Sequence, residues 1–424
     1  MNDNIATPFA KPLYVMLKPA GAHCNLDCKY CYYLEKNNLY NTSQRHLMTD
    51  EMLEQFTREY IEAQTMPQVL FTWHGGEPLM RSIDFYKKAL ELQKKYAHGK
   101  QIDNVIQTNG TLLTDEWCEF FAQNHFLVGI SIDGPQEYHD HYRQTSAGKP
   151  SWEKVMHGIH LLKKHRVEWN AMAVVNAYNA EHPLEFYHFF RDNGCQYLQF
   201  TPIVERLTEH EDGRTLASLA DVSHEDNYED VGNAKKQKEN QEITIADFSV
   251  TPEQWGKFLC TIFDDWVRHD VGKIFVEIFD CTLANWVGVQ PGICAYSKEC
   301  GHAGVMEHNG DVFSCDHFVF PEYKLGNIQD KSLIDMLYGE KQQAFSRLKH
   351  TSLPRQCKEC DMEFACHGEC PKNRFENDKY GEPGLNYLCK GYYEYYTHVA
   401  PYMDFMKREL QAQRPPANIM NVLK

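Results

Sequence analysis

The chain has no long apolar run and no extended basic stretch, and each absence removes a class of function. No segment approaches the roughly 20 apolar residues that a membrane helix needs. The N-terminus, MNDNIATPFAKPLYVMLKPAG, has no basic region leading into an apolar core, so no secretory leader is read from it. Lysine and arginine number 43 against 59 aspartates and glutamates, a net charge of −16. No run of cations is long enough to track a phosphate backbone. Neither a membrane nor a nucleic acid is an expected partner, and a cytoplasmic location follows. The acidic balance serves solubility and, more weakly, would favour a basic peptide. There is no low-complexity tract. What is present is a composition of 42% hydrophobic residues over 424 positions, enough for two domains or one large α/β domain with an appendage. Fifteen cysteines stand out in such a chain. Stable disulfides are rare in the cytosol, so clustered cysteines there point to metal or catalysis.

Along residues 13 to 204 short apolar runs alternate with longer amphipathic ones. The apolar runs are Leu13–Pro19, Val69–Thr72, Asn104–Thr108, Leu127–Asp133, Trp169–Val175 and Tyr197–Ile203. Helices are predicted near 50–64, 82–97, 114–124, 151–165 and 181–193, with Thr49, Thr114 and Ser151 at N-cap positions. Six strands separated by helices predict a parallel α/β arrangement, since each parallel crossover needs a helix. A barrel or partial barrel over 10–204 is expected, with its chemistry at the C-terminal strand ends. Residues 205–250 are polar and poor in strand formers, and read as an insertion or mobile loop. A linking helical region, 251–290, opens on Thr251, Pro252 and Gln254, the pattern of a capping box with proline in the first turn. Cysteine density then rises over 291–395. The region ends in an aromatic-rich helix, Gly391 to about Leu410, and 396–424 is taken as the C-terminal helix and tail. The C-terminal region shows no repeat beyond its two cysteine sets.

Cys24, Cys28 and Cys31 follow the first predicted strand in CNLDCKYCYY. Three close thiolates hold three irons of a cubane cluster and leave the fourth iron open. The alternative is zinc held by three thiolates and a distant histidine, which the x3-then-x2 spacing disfavours. With Tyr30 before the third cysteine, the motif resembles the radical S-adenosylmethionine superfamily. That resemblance implies a partial (β/α)6 barrel, a 4Fe–4S cluster chelated by S-adenosylmethionine, and Tyr30 near the adenine. Further motifs fall where a barrel wants them. Gly75, Gly76 and Glu77 in HGGEP follow the second strand; the glycines would let backbone carbonyls approach the cofactor's ammonium, and Glu77 would balance its charge. Ser131 in SIDGP and Arg143 in HDHYR would bind the cofactor carboxylate, Arg143 through its fork. A surface salt bridge is the other reading of Arg143. Val204 packs on the adenine or is ordinary core. Asn109 in QTNG is a turn residue or a cofactor contact.

Eight more cysteines lie toward the C-terminus: Cys294, Cys300, Cys315, Cys357, Cys360, Cys366, Cys370 and Cys389. Four thiolates close one cluster, so eight suit two. Their spacing resembles the SPASM extension of radical enzymes that modify peptides. The resemblance implies interleaved ligation, with one auxiliary 4Fe–4S cluster on Cys294, Cys300, Cys315 and Cys370 and the other on Cys357, Cys360, Cys366 and Cys389. Two structural zinc sites are the alternative reading of the region taken alone. Cys118, Cys195, Cys260 and Cys281 match no set and read as small buried hydrophobes.

Over nearly its whole length, apart from 205–247, the chain resembles the anaerobic sulfatase-maturating enzymes. The pointed residue is Asp316, directly after Cys315 in SCDHF. The resemblance implies that Asp316 is the general base while a 5′-deoxyadenosyl radical takes hydrogen from Cβ of a cysteine or serine, with the electron passing to the nearer auxiliary cluster and formylglycine as product. The alternative for Asp316 is a solvated turn aspartate. The implied cofactors are three 4Fe–4S clusters and S-adenosylmethionine. The implied partners are a sulfatase polypeptide with a Cys/Ser-x-Pro/Ala-x-Arg target and an electron donor such as flavodoxin or ferredoxin, with the enzyme a monomer. Two rivals stand beside this reading. One is another SPASM peptide maturase forming a thioether or carbon–carbon crosslink; Asp316 and a start only about twenty residues before Cys24 argue against it. The other is a zinc-binding scaffold without catalysis.

Overall fold

The computed structural model describes residues 12–33, 36, 39–40, 47–210, 213–216 and 243–423. The expected alternation is present. In chain order it runs β1 (Tyr14–Lys18), α1 (Asp50–Ala63), β2 (Gln68–Trp73), α2 (Ile83–Tyr96), β3 (Gln101–Thr108), α3 (Asp115–Gln123), β4 (Leu127–Ser131), α4 (Gln136–Tyr142), α5 (Trp152–Lys164), β5 (Glu168–Val175), α6 (Pro183–Asp192) and β6 (Tyr197–Pro202). Only α4 has no counterpart in the sequence reading; seven residues are too few for a clear helical period. The Thr49 and Thr114 hydroxyls accept from the amides of Met52 and Trp117, as N-caps do. Ser151 does not. Its hydroxyl donates to the Arg143 carbonyl, and the Asp140 carboxylate instead accepts the Ser151 and Trp152 amides.

The chain forms two compact units, each assembled from several stretches. The first comprises Met1–Ser131, Asp140–Trp169 and Gly301–Ser346. In it β1, β2, β3 and β4 pair in parallel, in that order. The strand Ala303–Glu307 pairs in parallel with the other edge of β1, and Asp311–Phe313 and Lys324–Asn327 continue antiparallel from it. Aromatic rings fill the core: Tyr60, Phe71, Trp73, Tyr86 and Trp117 succeed one another at centroid separations of 5.2 to 5.9 Å. The Trp73 indole donates to Asn104 at 2.8 Å, and Asn104 exchanges hydrogen bonds with Gln93, so this buried polar group is satisfied.

The second unit comprises Ile132–His139, Asn170–Cys300 and Arg347–Lys424. Here β6 pairs in parallel with β5 and with Phe275–Val276. The loop expected over 205–250 is partly a correction. β7 (Arg206–His210) pairs antiparallel with both β8 (Gly213–Leu216) and β9 (Ile243–Ile245). Residues 217–242 lie outside the described residues. Helix α7 (Pro252–His269) carries the full capping box between Thr251 and Gln254. It packs on the helix Cys389–Gln411, at a crossing where a Cβ on Gly391 would lie 2.1 Å from the Pro252 carbonyl oxygen. Only glycine permits that approach. Thr251→Ala removes the hydroxyl that accepts the Gln254 amide. It is expected to cost about 1 kcal/mol, read as a lower midpoint of thermal or urea unfolding; an unchanged midpoint would show that the cap contributes nothing.

Candidate active site

In the first unit the C-terminal ends of neighbouring strands put Lys18, His74, Asn109 and Ser131 on one rim, beside the loop that carries Cys24, Cys28 and Cys31. The HGGEP turn docks on this loop through its backbone. The Gly76 amide donates to Gly21 O and the Glu77 amide to His23 O, both at 2.8 Å. Gly75 has φ +134°, and a Cβ on Gly76 would stand 2.2 Å from the His23 carbonyl oxygen, so both positions require glycine. Glu77 is fully buried; its carboxylate accepts from Leu79 N, Asn109 N and the Thr108 hydroxyl. Burial pushes its pKa up to about 7 against those three bonds. Asn109 is a turn residue that accepts from the Thr111 amide, and its own side-chain amide reaches Cys24 Sγ at 3.7 Å and Asn25 Oδ1 at 2.9 Å. The Ser131 hydroxyl accepts from Gln107 at 2.9 Å. Arg143 is buried, with its guanidinium 5.5 Å from the centre of the Tyr30 ring, on the same loop as the cysteines.

Asp316 opens a single helical turn after Cys315. Its carboxylate forms an ion pair with Lys18 and accepts from the Tyr32 hydroxyl at 2.5 Å. Lys18 is fully buried; its ammonium lies 3.6 Å from the centre of the Tyr33 ring and 3.3 Å from His74 Nδ1. The Tyr33 hydroxyl donates in turn to Glu307. Because His74 Nδ1 also accepts from the Gly75 amide at 2.8 Å, the ring's proton sits on Nε2. Burial, then the Lys18 charge, lowers the His74 pKa to about 4. Burial works against the Asp316 carboxylate, but Lys18, His74 and His317 outweigh it and hold Asp316 well below the usual carboxylate range. This network of Lys18, Tyr32, Tyr33 and His74 is absent from the sequence reading. The available signal was a lysine inside a strand expected to be buried, where an ammonium needs a partner.

All fifteen cysteines are free thiols. In the second unit Cys357, Cys360, Cys366 and Cys389 line one cavity of about 690 Å³. Cys294, Cys300 and Cys370 lie near one another, and Cys300 is raised to about 12 by burial and by the charges of its two neighbours. Cys315, assigned with them, belongs to the first unit. Val204 is buried in the second unit, and Lys372, ion-paired with Glu205, donates to its carbonyl. Cys118, Cys195 and Cys281 are buried and Cys260 is half-buried. Cys24, Cys28 and Cys31 share one loop, and Cys357, Cys360, Cys366 and Cys389 share one cavity; sulfur donors grouped in this way are the ligand type that iron–sulfur clusters take.

The radical S-adenosylmethionine superfamily model matches residues 19–190, and an iron–sulfur cluster-binding SPASM domain matches 299–361. A serine-type anaerobic sulfatase-maturating enzyme of Bacteroides thetaiotaomicron is 67% identical over 424 residues, covering 100% of this chain and 98% of its own. The chain belongs to the anaerobic sulfatase-maturating enzymes. A cysteine-type member from Clostridium perfringens is 30% identical over 393 residues, 92% of this chain and 97% of its own. A solved structure described as native anSMEcpe with bound AdoMet and Cp18Cys peptide matches with TM-score 0.79 at 29% identity, covering 94% of this chain and 100% of that one. The fold of the maturase is thus an α/β radical S-adenosylmethionine domain with a SPASM domain. The crosslinking and zinc-scaffold rivals fall away. Gly76→Ala is expected to displace the cysteine loop, so that reconstituted enzyme lacks one cluster's worth of iron and the matching electron paramagnetic resonance signal. Wild-type iron content in that variant would rule out the docking role.

Proposed function

We propose that this maturase oxidises a serine side chain of a sulfatase polypeptide to Cα-formylglycine, with Asp316 taking the hydroxyl proton. Formylglycine formation by radical S-adenosylmethionine chemistry is the activity of the family to which the chain belongs. The serine preference is supported by the 67% identity to a serine-type relative, against 30% to a cysteine-type one. The observation that carries the base assignment is the Asp316 carboxylate, next to Cys315 and held ionised by Lys18 and Tyr32.

When bound, the cluster at Cys24, Cys28 and Cys31 together with S-adenosylmethionine supplies the 5′-deoxyadenosyl radical that takes one hydrogen atom from the substrate Cβ. The chain's own residues do the rest of the positioning. Asn109, fixed by Glu77, steadies Cys24 by a hydrogen bond to its sulfur. Arg143 and Ser131 would hold the cofactor carboxylate. Tyr30 would lie near the adenine, and Val204 is proposed as an adenine contact on the family resemblance alone. Gly75 and Gly76 offer backbone to the ammonium, while Glu77, engaged by three protein donors, acts there through its charge. Loss of a hydrogen atom, then of one proton and one electron, converts the CH2OH group to CHO; Asp316 would accept that proton and an auxiliary iron–sulfur cluster would accept the electron. With cysteine the same losses give a thioaldehyde, which water hydrolyses to the same aldehyde.

The reading extends to three 4Fe–4S clusters, with Cys294, Cys300, Cys315 and Cys370 on one auxiliary cluster and Cys357, Cys360, Cys366 and Cys389 on the other. It includes a Cys/Ser-x-Pro/Ala-x-Arg target, a flavodoxin or ferredoxin as donor, and a monomer in the cytoplasm. Among the described residues no helix is long and apolar enough to cross a membrane. Mass spectrometry of sulfatase-type peptides treated anaerobically with enzyme, S-adenosylmethionine and reductant tests the proposal. The serine peptide is expected to lose two hydrogens, and faster than the cysteine peptide exchanges sulfur for oxygen with the same loss. Asp316→Asn is expected to cut product formation roughly 10²- to 10⁴-fold while 5′-deoxyadenosine still forms. Deoxyadenosine without change in either peptide sinks the substrate reading; full turnover by Asp316→Asn sinks the base.

A further inference from the structure

Two cations in the second unit, the buried Lys349 and the half-buried Arg374, donate mainly to backbone carbonyls. Lys349 is fully buried, and its ammonium donates to the carbonyls of Cys294, Ala295 and Ser297. Arg374 directs its guanidinium at the carbonyls of Gly368, His367, Glu369 and Lys349. Each acceptor is a neutral backbone oxygen. Among the described residues neither cation makes an ion pair with a carboxylate. The nearby Lys372 shows the contrast, being paired with Glu205. The buried Glu369 carboxylate faces both cations electrostatically without forming an ion pair, and accepts from the Tyr396 hydroxyl. One carboxylate facing two cations leaves positive charge uncompensated in a largely buried setting, which is costly and calls for a further anion.

The carbonyls that the cations grip tell where that anion sits. Lys349 holds the loop at Cys294. Arg374 holds the turn between Cys366 and Cys370, residues of different cysteine sets, and the Lys349 carbonyl joins the two cations into one bridge. Both charges act on the surrounding thiols: Lys349 on Cys294 and Cys300, Arg374 on Cys366, Cys357, Cys370 and Cys300. A cubane held by four thiolates carries net negative charge, which grows by one on reduction. A fixed cation beside it therefore favours the reduced form and raises its potential.

We infer that Lys349 and Arg374 are the counter-charges of the two auxiliary clusters and hold their midpoint potentials up. They are positioning and tuning residues, removed from substrate. The inference rests on reading the C-terminal cysteines as clusters, and the experiment separates the two. Full-length enzyme, reconstituted anaerobically, is assayed for iron and titrated electrochemically under electron paramagnetic resonance. The cluster at Cys24, Cys28 and Cys31, whose signal responds to S-adenosylmethionine, is the internal control. In Arg374→Gln and Lys349→Gln the auxiliary signals are expected to shift to lower potential by at least a tenfold change in the reduced-to-oxidised ratio, which is 59 mV for one electron. The control should stay in place, and Arg374→Lys should keep the wild-type potential. Auxiliary potentials unchanged in both glutamine variants at full iron content overturn the inference. So does a fall in Arg374→Lys equal to that in Arg374→Gln, which would mean loop geometry rather than charge. If the glutamine variants hold no auxiliary iron, Arg374→Lys and Lys349→Arg decide: iron retained at the wild-type potential supports the charge role, and iron lost overturns it. Wild-type enzyme with iron for the control cluster alone would overturn the cluster reading itself, and this inference with it.

Discussion

A thiolate in a protein interior must be matched by positive charge, and most of what is unusual in this chain follows from that constraint. Burial lifts Cys24, Cys300 and Cys389 to about 12 and Cys357 to about 11, so as free thiols they stay protonated at neutral pH. They become ligands only when metal displaces the proton. The cavity that Cys357, Cys360, Cys366 and Cys389 help line belongs with this logic: four thiols converging on one pocket are a poor hydrophobic core but suit an inorganic guest.

The first unit answers the same constraint in another way. Its cysteine loop is held by backbone, through the docking of Gly76 and Glu77 on Gly21 and His23. Backbone docking leaves the side chains of the loop available and removes tolerance for any residue but glycine. Glu77 then acts at one remove. By accepting from Thr108 and the Asn109 amide it joins the ends of β2 and β3 to the loop, and its raised pKa records how much burial this requires. One carboxylate thereby aligns two strand ends and, through Asn109, the Cys24 side chain.

Much of this was legible in the sequence because it is local. The six strands and the Thr49, Thr114 and Thr251 caps are short-range patterns of period and side-chain chemistry. The cysteine sets are spacing patterns, and Asp316 comes with Cys315. What escaped was non-local. Ser151 has cap chemistry and cap position, yet its hydroxyl turns to Arg143 and the cap is Asp140, eleven residues earlier. The strands β7, β8 and β9 hide in polar sequence because a small antiparallel sheet needs no continuous apolar face. Lys18 meets Asp316 across almost three hundred residues, and only the parallel pairing of β1 with Ala303–Glu307 brings them together.

That pairing also bears on the base role proposed for Asp316. A carboxylate with an ammonium on one oxygen and a phenol on the other is stabilised as an anion, and a stabilised anion is a weak base. It would fail against an ordinary alcohol, whose proton is far too tightly held. A hydroxyl on a carbon radical is a different acid, because its proton leaves as the carbon gives up an electron and a carbonyl forms. The oxidation supplies the driving force, so the base need only be in place and ionised at the moment of reaction. Lys18 guarantees the ionisation, and the stiffness of β1 guarantees the place. A stronger base, one with a pKa near neutrality, would be protonated part of the time and gain nothing in the step that follows.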